Sequence, residues 1–167
     1  MSWKSFHRRG ETLRAVITTA GVRRDGVLPM DVEGVAETFR DELDLLAACQ
    51  LKWHTRLSGR IERVLAGQPL DLPDAVALAW SQTAEELAGV RMILDRYRAE
   101  PTDDAMARAM ATATAKEHTF LAVMAGRSGL DAPAARRIGA AIEERARGLR
   151  RGAAIDPVGD PVGGAAA

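Results

Sequence analysis

Four side chains in the middle of the chain are of types that can transfer protons or bind metal ions: His54, Glu86, Glu117 and His118. Imidazole and carboxylate groups are common ligands of zinc, manganese and iron in proteins. A buried carboxylate is costly unless a cation or hydrogen-bond donors compensate it. What these residues can do therefore depends on whether their helices turn them towards a common core.

Helical geometry predicts where these side chains point, because successive residues are rotated by about 100°. Gln50 and His54 fall within about 20° of Leu43, taken as the centre of the apolar stripe on their helix, and Trp53 falls on its shoulder, about 80° away. Glu86 lies about 50° from the centre of the next stripe, whereas Glu117 lies almost at the centre of a third. His118 falls on the flank of that third stripe. The sequence therefore predicts a buried polar network of Gln50, His54, Glu86 and Glu117.

Two interpretations of this network stay open at the level of the sequence. In the preferred one, it is a closed structural network built on hydrogen bonds from His54 to Glu117 or Glu86. An arginine such as Arg91 could also neutralise the carboxylates. In the alternative, the core holds a divalent ion of iron, manganese or zinc, and its candidate ligands are His54, Glu86, Glu117 and His118.

Turns rich in glycine and proline divide the chain into five predicted helices. No segment alternates with a two-residue period, so we predict an all-α protein. Long helices joined by short loops favour an antiparallel four-helix-type bundle with an additional C-terminal helix. The predicted helices run from 2 to 22, from 31 to 66, from 71 to 100, from 102 to 125 and from 133 to 150. Asp31 and Asp71 are the predicted N-caps of the second and third helices, and Thr102 is predicted to start the fourth.

The domain organisation follows from length and composition. A chain of 167 residues is long enough to bury one core, and residues 1–150 are predicted to form a single helical domain. Residues 151–167 contain two "DPVG" units among glycine and alanine, which predicts a disordered tail.

Long antiparallel helices that carry inward-facing Glu and His resemble the ferritin-like bundles, whose di-metal centres use Glu-x-x-His pairs. This chain contains no Glu-x-x-His, because Glu117 and His118 are adjacent and Leu51 stands three residues before His54. The resemblance covers residues 31–126 and implies a ferritin-like outline without the di-iron motif. The opening "MSWKSFHRRGETLRAVI" is also similar to uncharacterised small helical proteins of GC-rich bacteria, which implies no function.

Composition excludes several classes of function. Lys plus Arg and Asp plus Glu both number 23, so no overall positive charge attracts nucleic acid. No apolar run is long enough to span a membrane, the N-terminus lacks a secretory signal, and Cys49 is the single cysteine, so we expect a cytoplasmic protein. The arginines of the last helix are interpreted as solvated surface: Arg136, Arg137, Arg145, Arg147, Arg150 and Arg151.

Whether the chain is an enzyme is left open by the sequence. It contains no HExxH, no phosphate-binding glycine loop, no CxxC and no nucleophile elbow. Trp3 and Phe6 on the first helix would be costly to leave in water, so we expect them to pack on the bundle or in the interface of a homo-oligomer. We therefore predict a non-enzymatic interaction or oligomerising module, with a ferritin-like metal-binding protein as the alternative.

Overall fold

A computed structural model describes residues 3–127, 129 and 131–155 of the 167-residue chain. This part of the protein is all-α, as predicted, and contains no strand. None of its helices is long and apolar enough to cross a membrane. The helices are α1 (Trp3–Arg23), α2 (Val35–Thr38), α3 (Glu42–Ala66), α4 (Leu72–Glu86), α5 (Ala88–Ala99), α6 (Asp104–Met124) and α7 (Ala132–Ile155).

Four of these helices begin in the same way, with an aspartate just before the first turn. Asp41, Asp71, Asp103 and Asp131 each accept a hydrogen bond from the backbone N–H three residues further on, at 2.7–2.8 Å. This bond satisfies one of the N–H groups that a helix start leaves without a partner. The sequence identifies the cap at Asp71 correctly, whereas the fourth predicted helix is capped by Asp103 rather than by Thr102.

The long helix predicted from residue 31 to residue 66 is two helices. Phe39 adopts an extended backbone conformation that ends the single turn of α2, and Asp41 then starts α3. Asp31, predicted as the cap of the long helix, forms two hydrogen bonds with Arg23 on α1 instead. The third predicted helix is broken as well, because Leu87 leaves helical geometry between α4 and α5.

The C-terminal helix belongs to the core of the molecule rather than being an addition to it. Its most extensive contacts are with α6 and α4, whereas α1 packs mainly on α5. Gly139 makes the α6–α7 contact possible, because a Cβ atom there would overlap the backbone of His118. Helix α7 also continues to Ile155, so residues 151–155 of the predicted tail are helical. The rest of that tail, residues 156–167, lies outside the described residues.

Candidate functional site

Glu117 on α6 lies at the centre of the buried polar cluster, and only 7% of its surface is exposed. The indole N–H of Trp53 on α3 donates to its Oε2 at 2.9 Å, and that of Trp80 on α4 donates to its Oε1 at 2.8 Å. Both tryptophans are fully buried, and their rings meet edge to face with 5.4 Å between centroids. One carboxylate therefore joins three helices through one hydrogen bond to each of its oxygens.

Arg91 on α5 supplies the positive charge that faces this carboxylate. Its Nη1 lies 3.8 Å from Oε1 of Glu117, and the residue is 4% exposed. Its guanidinium carbon lies 4.6 Å from the ring centroid of Trp53 and 5.6 Å from that of Trp80. Stacking on aromatic faces stabilises a desolvated cation, so the tryptophans contact both members of the Glu117–Arg91 pair. The suggestion that Arg91 neutralises a buried carboxylate is consistent with this geometry.

Asp95 extends the cluster from Arg91 towards α7. It accepts a hydrogen bond from Nε of Arg91 at 3.0 Å and two from Arg147, at 2.9 and 2.7 Å. Burial alone would raise the pKa of Asp95, but the hydrogen bonds and positive charge of Arg147 and Arg91 lower it below its ordinary value. The same bonds raise the pKa of Arg147. Both groups are therefore charged in the folded protein at neutral pH.

Glu143 on α7 completes the cluster at its α6 end. Its carboxylate is hydrogen-bonded to Nε2 of His118 at 2.6 Å and accepts further bonds from Arg147 and Arg98. Burial would raise the pKa of Glu143, yet these three partners together hold it well below its ordinary value. Every carboxylate of the cluster thus has cationic or N–H partners within the protein itself.

The structure does not bring together the residues that the sequence predicts as a site. Glu117 is buried as predicted, and His118 is buried 2.6 Å from Glu143 rather than on an open flank. His54 is exposed, with its ring edge to face with Phe120, so the prediction of a His54–Glu117 bond is wrong.

The other two members of the predicted network are also misplaced. Gln50 is only half-buried and makes no hydrogen bond to Glu117 among the described contacts. Glu86 is exposed and forms ion pairs with Arg56 and Arg60 on α3, so its predicted burial is wrong. Its place at the last turn of α4, next to the break at Leu87, turns it out to solvent.

Several members of the real cluster are absent from the predicted set: Trp53, Trp80, Asp95, Glu143 and Arg147. Both tryptophans carry an indole N–H that requires an acceptor when buried, which is a signal that the sequence does offer. The spacing of Glu143 and Arg147, four residues apart on one helix face, is a second signal. The interpretation of Arg147 as solvated surface is wrong, because its guanidinium bridges Asp95 and Glu143.

The geometry of the cluster bears on the predicted metal ligands. Among the described residues, no group of three or more His, Cys, Asp or Glu side chains is arranged to hold a metal ion. Each oxygen of Glu117 already accepts an indole N–H, and Arg91 lies beside it. A divalent cation there would have to displace N–H donors and face the charge of an arginine.

A groove of about 520 Å³ lies between α3 and α6, above Glu117. From α3 it is lined by Leu43, Leu46, Ala47, Gln50, Leu51 and His54, and from α6 by Arg108, Ala109, Met110, Thr112, Ala113, Lys116 and Glu117. Most of the lining is apolar. The misplaced residues Gln50 and His54 therefore belong to an open groove and not to the core.

A second groove of about 440 Å³ lies on the other side of α3, against α1. It shares Ala47 and Leu51 with the first groove and adds Phe6 and Leu13 from α1. Leu51 is 66% exposed and Phe6 is 63% exposed. Ala47 and Leu51 thus form a ridge between two apolar grooves; we call this whole surface the α3 face. Trp3, predicted to be buried together with Phe6, is described only as the first residue of α1, without its side chain.

Comparison with protein-family models, curated proteins and solved structures finds no match to this chain.

Proposed function

We propose that this protein is a non-enzymatic interaction module. In this proposal the buried polar cluster that runs from Glu117 to Glu143 is structural, and the α3 face binds a partner. The cluster has the properties of a structural network: its carboxylates meet arginine, histidine or indole donors from neighbouring helices. A catalytic acid or base needs a free position within hydrogen-bond reach of a substrate. Glu117 and Glu143 are instead occupied by their own neighbours.

The observation that carries this proposal is the exposure of the α3 face. Leu51 and Phe6 stand on the surface beside two apolar grooves, where water contact is unfavourable. Contiguous apolar surface of this kind is typical of protein interaction sites. The ferritin-like outline and a homo-oligomer through α1 remain compatible with this function, since Phe6 belongs to the same surface.

The test uses anilinonaphthalene sulfonate, a dye whose fluorescence rises when it binds apolar surface. We expect the folded wild-type protein to bind the dye and Leu51→Glu to lose most of the signal, because a carboxylate would stand on the ridge of the α3 face. The matched control is Leu70→Glu, which changes a fully exposed leucine in the loop between α3 and α4. Circular dichroism checks that both variants stay folded.

The control variant Leu70→Glu should bind the dye as strongly as the wild type does. If the folded Leu51→Glu variant keeps the wild-type fluorescence, the α3 face is not an accessible apolar surface and the proposed function fails.

A further inference from the structure

The groove between α3 and α6 has a shape and a charge that select among partners. We infer that it binds one amphipathic helix of a partner protein whose apolar face is bordered by acidic residues. This inference rests on the proposed function and adds the chemistry of the partner.

The length and lining of the groove fit a helix. Its α3 wall runs from Leu43 to His54, a rise of eleven residue steps or about 16 Å at 1.5 Å per residue, which is three helical turns. Ala47 on one wall and Ala109 and Ala113 on the other are small, so the walls leave room for the side-chain ridge of a third helix. Leu46 and Met110 give the groove an apolar base.

The exposed charged side chains that line the groove are cations without an ion pair in the described part of the chain. Arg108 and Lys116 lie two turns apart along its α6 wall and are exposed. Lys52 borders the neighbouring groove beside Leu51. Among the described residues none of these three cations forms an ion pair, whereas Arg56 and Arg60 on α3 both pair with Glu86. Glu117, the only carboxylate among the described residues that line the groove, already accepts two indole N–H groups.

These charges favour an acidic partner over two other occupants. A second copy of this chain would bring Arg108 and Lys116 to the same contact from both sides, and like charges across an interface oppose association. A single lipid chain carries a charge at one end only, so it would leave Arg108 or Lys116, which lie two turns apart, without an anionic partner. An acidic amphipathic helix covers the apolar residues and pairs the cations at once.

The experiment compares two fluorescent peptides of about 14 residues, long enough for three turns and their ends. Both carry leucine and alanine at helical spacing on one face, and they differ only in having glutamate or lysine at the flanking positions. Fluorescence anisotropy should show the glutamate peptide binding the wild-type protein about tenfold more tightly than the lysine peptide at low salt. The difference should shrink in about 0.5 M salt, where charges are screened within a few ångströms.

A charge-reversal pair assigns the preference to the groove. The double variant Arg108→Glu with Lys116→Glu should bind the glutamate peptide about tenfold more weakly and the lysine peptide more tightly. The matched control is Arg14→Glu with Arg63→Glu, which changes the net charge equally at two exposed arginines that do not line this groove. That control should keep the wild-type preference.

Three results would overturn the inference. The first is that the wild-type protein passes the dye test, with a signal that Leu51→Glu removes, but binds the two peptides equally or binds neither. The second is displacement of the dye by dodecanoate without peptide binding, which would assign the groove to a small amphipath. The third is a dimer in sedimentation velocity that Leu51→Glu dissociates. A protein that fails the dye test fails at the proposed function instead, so the two failures are distinguishable.

Discussion

Glu117 is stabilised in the core by neighbours from three other helices. Its two oxygens accept the indole N–H groups of Trp53 and Trp80, and Arg91 provides the opposite charge. A buried carboxylate without such partners would lose several kcal/mol of solvation on folding. The tryptophans have a second role, since their rings contact the guanidinium group of Arg91.

The first prediction concerns the two indole donors. Trp53→Phe and Trp80→Phe each keep most of the apolar ring and remove one hydrogen bond to Glu117. Each variant should lower the free energy of unfolding by about 1–3 kcal/mol, because one carboxylate oxygen is left without its donor in the core. Urea denaturation followed by circular dichroism measures the loss.

Both tryptophans are fully buried, so the two losses should be of similar size. A loss confined to Trp80→Phe would mean that the Trp53 indole does not hold Glu117.

A second prediction concerns metal ions. An ion that binds the folded state at a hundred times its dissociation constant stabilises it by about 2.7 kcal/mol. Because donors within the protein already occupy both oxygens of Glu117, we expect no change in melting temperature when Fe²⁺, Mn²⁺ or Zn²⁺ is added. A chelator should have no effect either. Stabilisation by one of these ions that disappears in the Glu117→Gln variant would support the alternative of a metal-binding protein.

The position of Glu117 is predictable from the sequence, whereas that of His54 is not. The stripe of α6 is continuous, so its centre can be located and Glu117 falls on it. On α3 the centre assigned to Leu43 also fits Val32, Ala36 and Phe39, which all lie before the start of α3 and are not part of that helix. Without those three residues, the buried positions define a different face.

The face that α3 turns to the core is made of Leu45, Leu46, Cys49, Trp53, Leu57 and Ile61. Its centre lies about 80° from Leu43, which moves Trp53 from the shoulder of the stripe to its middle. His54, the next residue, is thereby turned to the surface. Cys49 lies near the centre of this buried face. Its burial raises the pKa of the thiol to about 12, so the thiol is protonated at neutral pH.

At the scale of elements, close contacts between helix backbones decide which helices meet. Gly89 on α5 lies against the backbone of Ala20 on α1, and Gly139 on α7 lies against the backbone of His118 on α6. A Cβ atom at either glycine would overlap main-chain atoms, which cannot move without shifting a helix. Gly139 and Glu143 are four residues apart on one face, so the same close approach brings Glu143 to His118.

The third prediction tests this approach with Gly139→Ala. The added methyl group should force α7 away from α6 and lower the free energy of unfolding by at least about 1–3 kcal/mol. The matched control is Gly148→Ala on the same helix, where a Cβ atom meets only the end of the Arg151 side chain at 3.9 Å. That variant should be neutral or stabilise by up to about 1 kcal/mol, since alanine is the better helix former.

Thermal unfolding measures both variants. Equal melting temperatures for Gly139→Ala and the wild type would contradict the close packing of α6 and α7.

The predicted elements fail where a helix breaks without glycine or proline. The break before α3 does carry a signal, because Asp41 followed by Glu42 and Asp44 is a typical helix start. The break at Leu87 carries only a weak signal, Gly89 two residues later, since Leu87 and Ala88 are ordinary helix formers. It follows from packing, because Gly89 must reach the backbone of α1 while Trp80 reaches Glu117.

At the scale of the whole molecule, equal numbers of positive and negative side chains are distributed unevenly. The Asp95–Arg147–Glu143 part of the cluster joins α5, α6 and α7 through charges that are largely removed from water. The groove between α3 and α6 carries cations without partners among the described residues. A net charge of zero therefore describes neither the core nor the α3 face, and composition alone gives no basis for the acidic partner that we infer from the groove.

The charged core predicts that stability depends on pH. The pKa of Glu143 is below its ordinary value of 4.5 in the folded protein, and that of Asp95 is below 3.8. At low pH the unfolded chain therefore binds protons that the folded chain does not, and stability falls as pH decreases through these values. The contribution is fully present above the unfolded pKa values and is lost progressively as pH falls towards the folded ones.

The variant Glu143→Gln isolates the larger part of this effect. It removes the charge that faces His118, Arg98 and Arg147, and it should cost about 3 kcal/mol at about pH 6, where the wild-type carboxylate is ionised in both states. The difference from wild type should narrow at about pH 3, where the unfolded wild-type chain is protonated at this position and stabilisation by its charge is partly lost. The control Glu85→Gln, at an exposed residue without an ion pair among the described contacts, should differ little from wild type at either pH. Urea denaturation at the two pH values gives the comparison, and a difference for Glu143→Gln that stays constant would show that the Glu143 charge is not the source of the pH dependence.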